Sequence, residues 1–291
     1  MRILFGICHY FSPDGGRHAS LATNPKPRIA ALTRQITALH QLYGPGQCIL
    51  DITTKTALPA GHAEPSHIDV VVCTTKGRHL LGSLPLPPSM YSERASDAAP
   101  MFLGYECQEL FRERLGGYDY YCYLEDDLIL HDPWFFYKIG WFSRNVGNVA
   151  LLQPNRYEAP ATGAFKRVYV DGETRPQVTA RFQDVSVQPE VKARILDLPV
   201  SMRRVRNPHS GCYFLNAAQM EHWTRQPYFC DRADDFISPL ESAASLGIMR
   251  TFRVYKPAPA NAAFLEIEHA GTGFASLIGN QIAIHPSLKP A

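Results

Sequence analysis

The sequence predicts an α/β fold, a single domain over residues 1–291 with a mostly parallel sheet, helices on both faces and a less regular second half. Three observations predict it. Apolar runs rich in β-branched and aromatic residues recur along the first half, as in "RILFGICHYF", "IDVVVCTT" and "YDYYCYLEDDLIL". Amphipathic stretches with helical spacing stand between them. Strand and helix signals alternate, which is how parallel sheets are built.

The elements follow in order. "RILFGICHYF" reads as a buried strand, followed by a turn-rich loop, "SPDGGRHASLATNPKP". In "RIAALTRQITALHQLYG" the apolar positions Ile29, Leu32, Ile36, Leu39 and Tyr43 step by three and four, with Pro27 near the start and Gly44 after the end. "QCILDITT" and "IDVVVCTT" are strand candidates, and Lys76 to about Pro100 reads as loop. "MFLGYECQELFRERLGG" is a helix ending at Gly116. "PWFFYKIGWFSRN" is another, with Asp132 as its N-cap, and its aromatic residues are expected in the core. After the strand "VALLQP" the order loosens. "FKRVYVDGETRPQVTA" reads as a hairpin turning at Asp171-Gly172. "GCYFLNAAQMEHWTRQ" is strand then helix, and "SPLESAASLGIMRTFRVYKP" helix then strand.

Composition bounds the function. Hydrophobic residues are 45% and charged residues 19%, enough apolar content for a packed core. Lys and Arg number 29 against 27 Asp and Glu, and a formal charge of +2 argues against nucleic acid as the main partner. Seven scattered cysteines, several within strands, read as reduced core residues of a cytoplasmic protein. No signal peptide is expected in "MRILFGICHYF", and no apolar run reaches the ~18 residues of a membrane span.

The chemistry concentrates in "YYCYLEDDLILHDPWFF", where Glu125, Asp126 and Asp127 interrupt an apolar run. Buried carboxylates are costly unless they pair, protonate or bind a cation. The acids are expected at the carboxyl end of a central strand, the edge where open α/β sheets bind ligands. Mg²⁺ and Mn²⁺ favour such oxygens, with substrate phosphates completing the shell. A plainer role is charge stabilisation of the following helix N-terminus.

"YLEDD" after an apolar strand resembles the DXD-type motif of the GT-A glycosyltransferases. Three later features stand in the matching order: "NPHSGCYFLN", "ISPLESAASLG" and "FLEIEHAGTG". The resemblance covers the chain to about Gly273 and rests on short motifs, with Glu125 in place of the first Asp. It implies a Rossmann-type nucleotide-binding half (1–153) and an acceptor-binding, catalytic half (154–291). It implies a nucleotide-diphosphate sugar as donor, Mn²⁺ or Mg²⁺ as cofactor, and a hydroxyl acceptor on a glycan or glycolipid, as in polysaccharide biosynthesis. On that reading Asp127 and His269 hold the metal, while Glu125 or Asp126 touches ribose or a metal-bound water. His9 and Tyr10 contact the nucleotide. Ser210 and Gly211 line the donor pocket. Glu241 is the catalytic carboxylate, with Asp234 and Asp235 as competitors.

Arg17, Arg28 and Arg94 are candidates to neutralise the diphosphate. Arg203, Arg204 and Arg206 could form a solvated basic face or a peripheral contact with the inner face of a membrane. Two other functions remain open on the residues alone: a nucleotidyltransferase acting on sugar phosphates, and a non-catalytic sugar- or metal-binding module.

Overall fold

The computed structural model describes residues 1–15, 19–61 and 66–288. In chain order the elements are β1 (Arg2–Cys8), α1 (Lys26–Tyr43), β2 (Cys48–Asp51), β3 (Thr56–Pro59), β4 (His67–Thr75), β5 (Ser92–Ser96), α2 (Leu103–Glu113), β6 (Tyr120–Glu125), β7 (Leu128–Ile129) and α3 (Phe135–Val146). Then follow β8 (Ala150–Leu152), β9 (Asn155–Glu158), β10 (Val168–Tyr169), α4 (Pro176–Thr179), β11 (Glu190–Ile195), β12 (Leu198–Arg204), β13 (Cys212–Asn216), α5 (Ala217–Thr224), α6 (Pro239–Thr251), β14 (Arg253–Pro257) and β15 (Glu266–His269).

The fold is mixed α/β. Its central sheet has the order β13-β6-β1-β4-β5. The last four strands in that order run parallel, and β13 runs antiparallel against β6. Alternation of side chains sends each strand's apolar residues to two opposite faces. Ile3, Phe5, Ile7, Cys122, Leu124 and Phe214 meet Leu32, Ile36 and Leu39 of α1 and Phe135, Phe136 and Phe142 of α3. Leu4, Val71, Tyr121, Tyr123 and Tyr213 meet Cys107 and Phe111 of α2, Trp223 of α5 and Leu246 of α6. Gly6 on β1 is required by this packing: a Cβ there would lie 2.9 Å from the Phe111 ring. Two smaller mixed sheets, β10-β9-β15-β7 and β11-β12-β14-β8, flank the central one. Among the described residues, no helix is long and apolar enough to cross a membrane.

Several local expectations are corrected. The Lys76–Pro100 segment contains β5, a polar strand with the sequence SERAS that pairs along β4 at the sheet margin. β2 does not join the central sheet and forms an exposed hairpin with β3. No hairpin turns at Asp171. Val168 and Tyr169 pair back to Glu158 and Tyr157, and the Asp171 carboxylate goes into the interior. Asp132 stands two residues before the cap position of α3, where its carboxylate accepts from the Trp134 N–H at 2.8 Å and from Lys138 at 2.7 Å. Phe135, Phe136 and Phe142 are buried as expected, whereas Trp134 precedes the helix and is exposed.

Candidate functional site

β6 ends at Glu125, and the chain leaves the central sheet through a turn at Asp126-Asp127 into β7. Cys8, the last residue of β1, is in register with both Glu125 and Cys73, so the acids lie at the carboxyl edge of the parallel strands. Because β13 is antiparallel, its beginning comes to the same edge, and the Glu125 N–H donates to the Gly211 carbonyl at 2.9 Å. His209 and Gly211 therefore face Glu125. Gly211 has φ +63°, and a Cβ there would fall onto the Glu125 carboxylate.

Asp126 is buried and fully engaged. The His9 Nδ1 lies 2.5 Å from one oxygen and the Arg28 Nη1 2.6 Å from the other. Burial opposes its ionisation, but Arg28 and the His9 hydrogen bond outweigh it and hold the carboxyl below its usual value. The other His9 nitrogen accepts from the Leu80 N–H at 3.0 Å. His9 is 0% exposed, so it cannot stack on a nucleotide base and instead braces Asp126. Tyr10 is half-buried against the α2 face of the core.

Asp127 is differently placed. Its Oδ2 accepts from the same Arg28 Nη1 at 2.9 Å, while its Oδ1 is buried with no hydrogen-bond partner. His269, at the end of β15, points Nε2 at Asp127 Oδ2 from 3.6 Å and Nδ1 at Glu158 Oε1 from 3.0 Å. Glu158 is 0% exposed and also accepts the Phe274 and Ala275 N–H groups. A carboxylate only accepts, so in the neutral ring the proton sits on Nδ1 and the Nε2 lone pair faces Asp127. Asp127 Oδ2 and His269 Nε2 thus lie 3.6 Å apart at the same edge.

Glu125 faces the glycine loop, with Arg156 Nη1 3.6 Å from Oε2 and His209 Nε2 3.9 Å from Oε1. Burial raises its carboxyl to about 8, Arg156 opposes this, and the charges of Asp127, Glu241 and Asp126 add to it. Arg156 grips Asp171 through Nε and Nη2 at 3.1 and 2.9 Å. Lys256 lies 3.2 Å from the same carboxylate and donates to the His209 carbonyl at 2.5 Å. Burial, then the nearby Arg156, lowers the His209 ring to about 3, leaving it neutral. Ser210 is fully buried, and its hydroxyl donates to the Pro154 carbonyl at 2.9 Å.

No protein-family model matches the chain, and no curated protein matches it.

Glu241 lies in the first turn of α6, where the hydroxyl of the N-cap Ser238 donates to its carboxylate. That is a helix-capping arrangement. It is also close enough to Glu125 for its charge to raise that carboxyl. Asp234 and Asp235 are exposed, and Asp235 pairs with Arg181 beside an open cleft that none of the acidic triplet lines. Among the three diphosphate candidates, Arg28 is at the acids. Arg94 is paired with Glu113, and Arg17 lies outside the described residues. Arg203, Arg204 and Arg206 do not make one patch. Arg204 is buried against Tyr255, Arg203 is exposed opposite Glu190, and Arg206 binds Glu173.

Sequence reasoning missed Arg156, Glu158, Asp171 and Lys256. "NRYE" and "VYKP" carry no motif, and Asp171 sits in an Asp-Gly pair that signals a turn. Among the described residues, no group of three or more His, Cys, Asp or Glu side chains is arranged to hold a metal by itself. The side chains at this edge that would hold a cation are Asp127, one of whose oxygens has no hydrogen-bond partner, and His269.

Proposed function

We propose that the protein is a glycosyltransferase of GT-A type, moving a sugar from a nucleotide-diphosphate donor to a hydroxyl acceptor on a glycan or glycolipid. The observation that supports this is the meeting, at one sheet edge, of stretches up to 144 residues apart: the 125–127 acids, the 209–211 loop and His269. Glu241 lies within electrostatic reach of Glu125.

The residues divide the work. Asp127 and His269 would hold a Mn²⁺ or Mg²⁺ ion, and when bound that ion supplies charge stabilisation for the departing diphosphate. Arg28 and Arg156, each beside the acids and each held charged by carboxylate neighbours, supply further positive charge to the same region. Gly211 lets a donor approach the backbone beside Glu125. Glu241 accepts the proton of the acceptor hydroxyl as general base.

The test is thermal stabilisation by a panel of nucleoside diphosphates, with Mn²⁺ and with EDTA. Wild type is expected to be stabilised by one base in a metal-dependent way, since a ligand of the folded state raises the melting temperature. Asp127→Asn is expected to lose that stabilisation while keeping its melting temperature without ligand within a few degrees. A flat response across the panel with Mn²⁺ present would exclude a donor site.

A further inference from the structure

Arg28 occupies an unusual position. It is the third residue of α1, and it reaches across to the acids 98 and 99 residues later. A single nitrogen, Nη1, bridges Asp126 Oδ1 at 2.6 Å and Asp127 Oδ2 at 2.9 Å. The Arg28 Nε is buried with no partner. A guanidinium carries five N–H donors in a fixed fork suited to planar or phosphate oxygens. The side chain is only 11% exposed, so it cannot turn to water for its unfilled donor. The unmatched groups at this edge are complementary: a buried N–H on Arg28 lacks an acceptor, and a buried oxygen on Asp127 lacks a donor or cation.

From this we infer that Arg28 is the resident counter-ion of Asp126 and Asp127 and makes divalent-cation binding conditional on a diphosphate. The inference rests on the donor-site reading above. Without a ligand, the guanidinium neutralises the acids, and a second cation arriving alone meets a like charge at the carboxylate it needs. A diphosphate reverses the balance. It brings negative oxygens that the Arg28 fork can bind, and it supplies the oxygens that Asp127 and His269 lack to complete a cation's shell. Arg28 keeps its bond to Asp126, which His9 also holds, and shares its charge with the diphosphate while Asp127 turns to the cation. Cation and diphosphate then bind with positive coupling, each raising the affinity of the other by the same factor. This also accounts for the lack of a self-sufficient three-ligand group among the described residues.

The experiment is calorimetric titration of the full chain with Mn²⁺ alone, with the panel nucleoside diphosphate that stabilises it most, and with Mn²⁺ after saturation with that nucleotide. Wild type is expected to bind Mn²⁺ at least about tenfold more tightly when the diphosphate is present. Arg28→Gln is expected to gain at least about tenfold in affinity for Mn²⁺ alone, because a charge within a few ångströms of the carboxylate is removed. The same substitution is expected to weaken the diphosphate. Arg28→Lys keeps the charge without the fork, and should resemble wild type toward Mn²⁺ alone but not toward the diphosphate. Circular dichroism melts establish that each variant is folded. If Arg28→Gln does not fold, the wild-type coupling and Arg28→Lys still decide the matter. Equal Mn²⁺ affinity in wild type with and without diphosphate overturns the inference, as does equal affinity for Mn²⁺ alone in wild type and a folded Arg28→Gln. A different result, in which no nucleoside diphosphate binds even with Mn²⁺, defeats the donor-site reading. The Mn²⁺-alone comparison of wild type and Arg28→Gln then still tests the role of Arg28 as counter-ion.

Discussion

Three adjacent carboxylates have three different fates, set by neighbours that come from elsewhere in the chain. Asp126 is held ionised by Arg28 and His9, Asp127 keeps one oxygen unmatched, and Glu125 is driven toward its protonated form. The last has a measurable consequence. The folded carboxyl of Glu125 sits at about 8, above the roughly 4.3 of an unfolded glutamate. A raised group contributes stability that is full below the unfolded value and is lost as pH climbs through the folded one. Wild type should therefore lose stability between about pH 4.5 and 8 through this residue. Asp126 and Asp171 are held low, so their contributions disappear only at more acidic pH, whereas His209, lowered from 6.5 to about 3, adds stability as pH rises to 6.5, so the Glu125 contribution is read from the difference between variant and wild type. Glu125→Gln removes the titration, and its stability relative to wild type should rise steadily across that window in denaturant melts. Parallel pH profiles for the two proteins would mean that Glu125 is not desolvated.

Among the elements, those whose ends are fixed by local chemistry stand apart from those placed by packing. α5 begins with a reciprocal capping box. The Asn216 side chain accepts from the Gln219 N–H at 2.9 Å, and the Gln219 side chain accepts from the Asn216 N–H at 3.1 Å. This cap joins α5 to the end of β13, the strand that carries Gly211 to the site at its other end. Asn216→Ala should cost about 1 kcal/mol in urea unfolding, the usual penalty for losing such a cap. A change within error would show that packing of Met220 and Trp223 alone holds the helix. β5 shows the opposite dependence: SERAS has no apolar pattern, and it is a strand only because β4 offers an edge of unpaired backbone groups.

At the level of the whole molecule, a division at residue 153 cuts through shared structure. β13 completes the central sheet beside β6, and α5 and α6 cover the face that begins with Leu4 and Val71. β8, just before the division, pairs with β14, about a hundred residues later. A fragment ending at Gln153 would expose the edge of β6 and the apolar face formed by Tyr121 and Tyr123. It should aggregate or bind a hydrophobic dye without a cooperative melt. A soluble fragment with a sharp thermal transition would show that the first half is an independent domain.

The sequence by itself determined the strands and helices whose period is visible in one stretch of chain. The apolar steps of α1, the β-branched run of β4 and the aromatic run of β6 are local patterns, and burial on the expected faces follows from them. It also determined that the acids end a central strand, because an apolar run followed by carboxylates has few other places to stop. Tertiary structure alone decided what those acids do. Arg28, Arg156, Glu158 and His269 act through charge and hydrogen bonds that depend on separations of a few ångströms, and no spacing along the chain encodes these. Asp171 is the clearest case. Its neighbour Gly172 marks it as a turn residue, yet Arg156 and Lys256 draw its carboxylate into the interior, because two buried cations require a counter-charge.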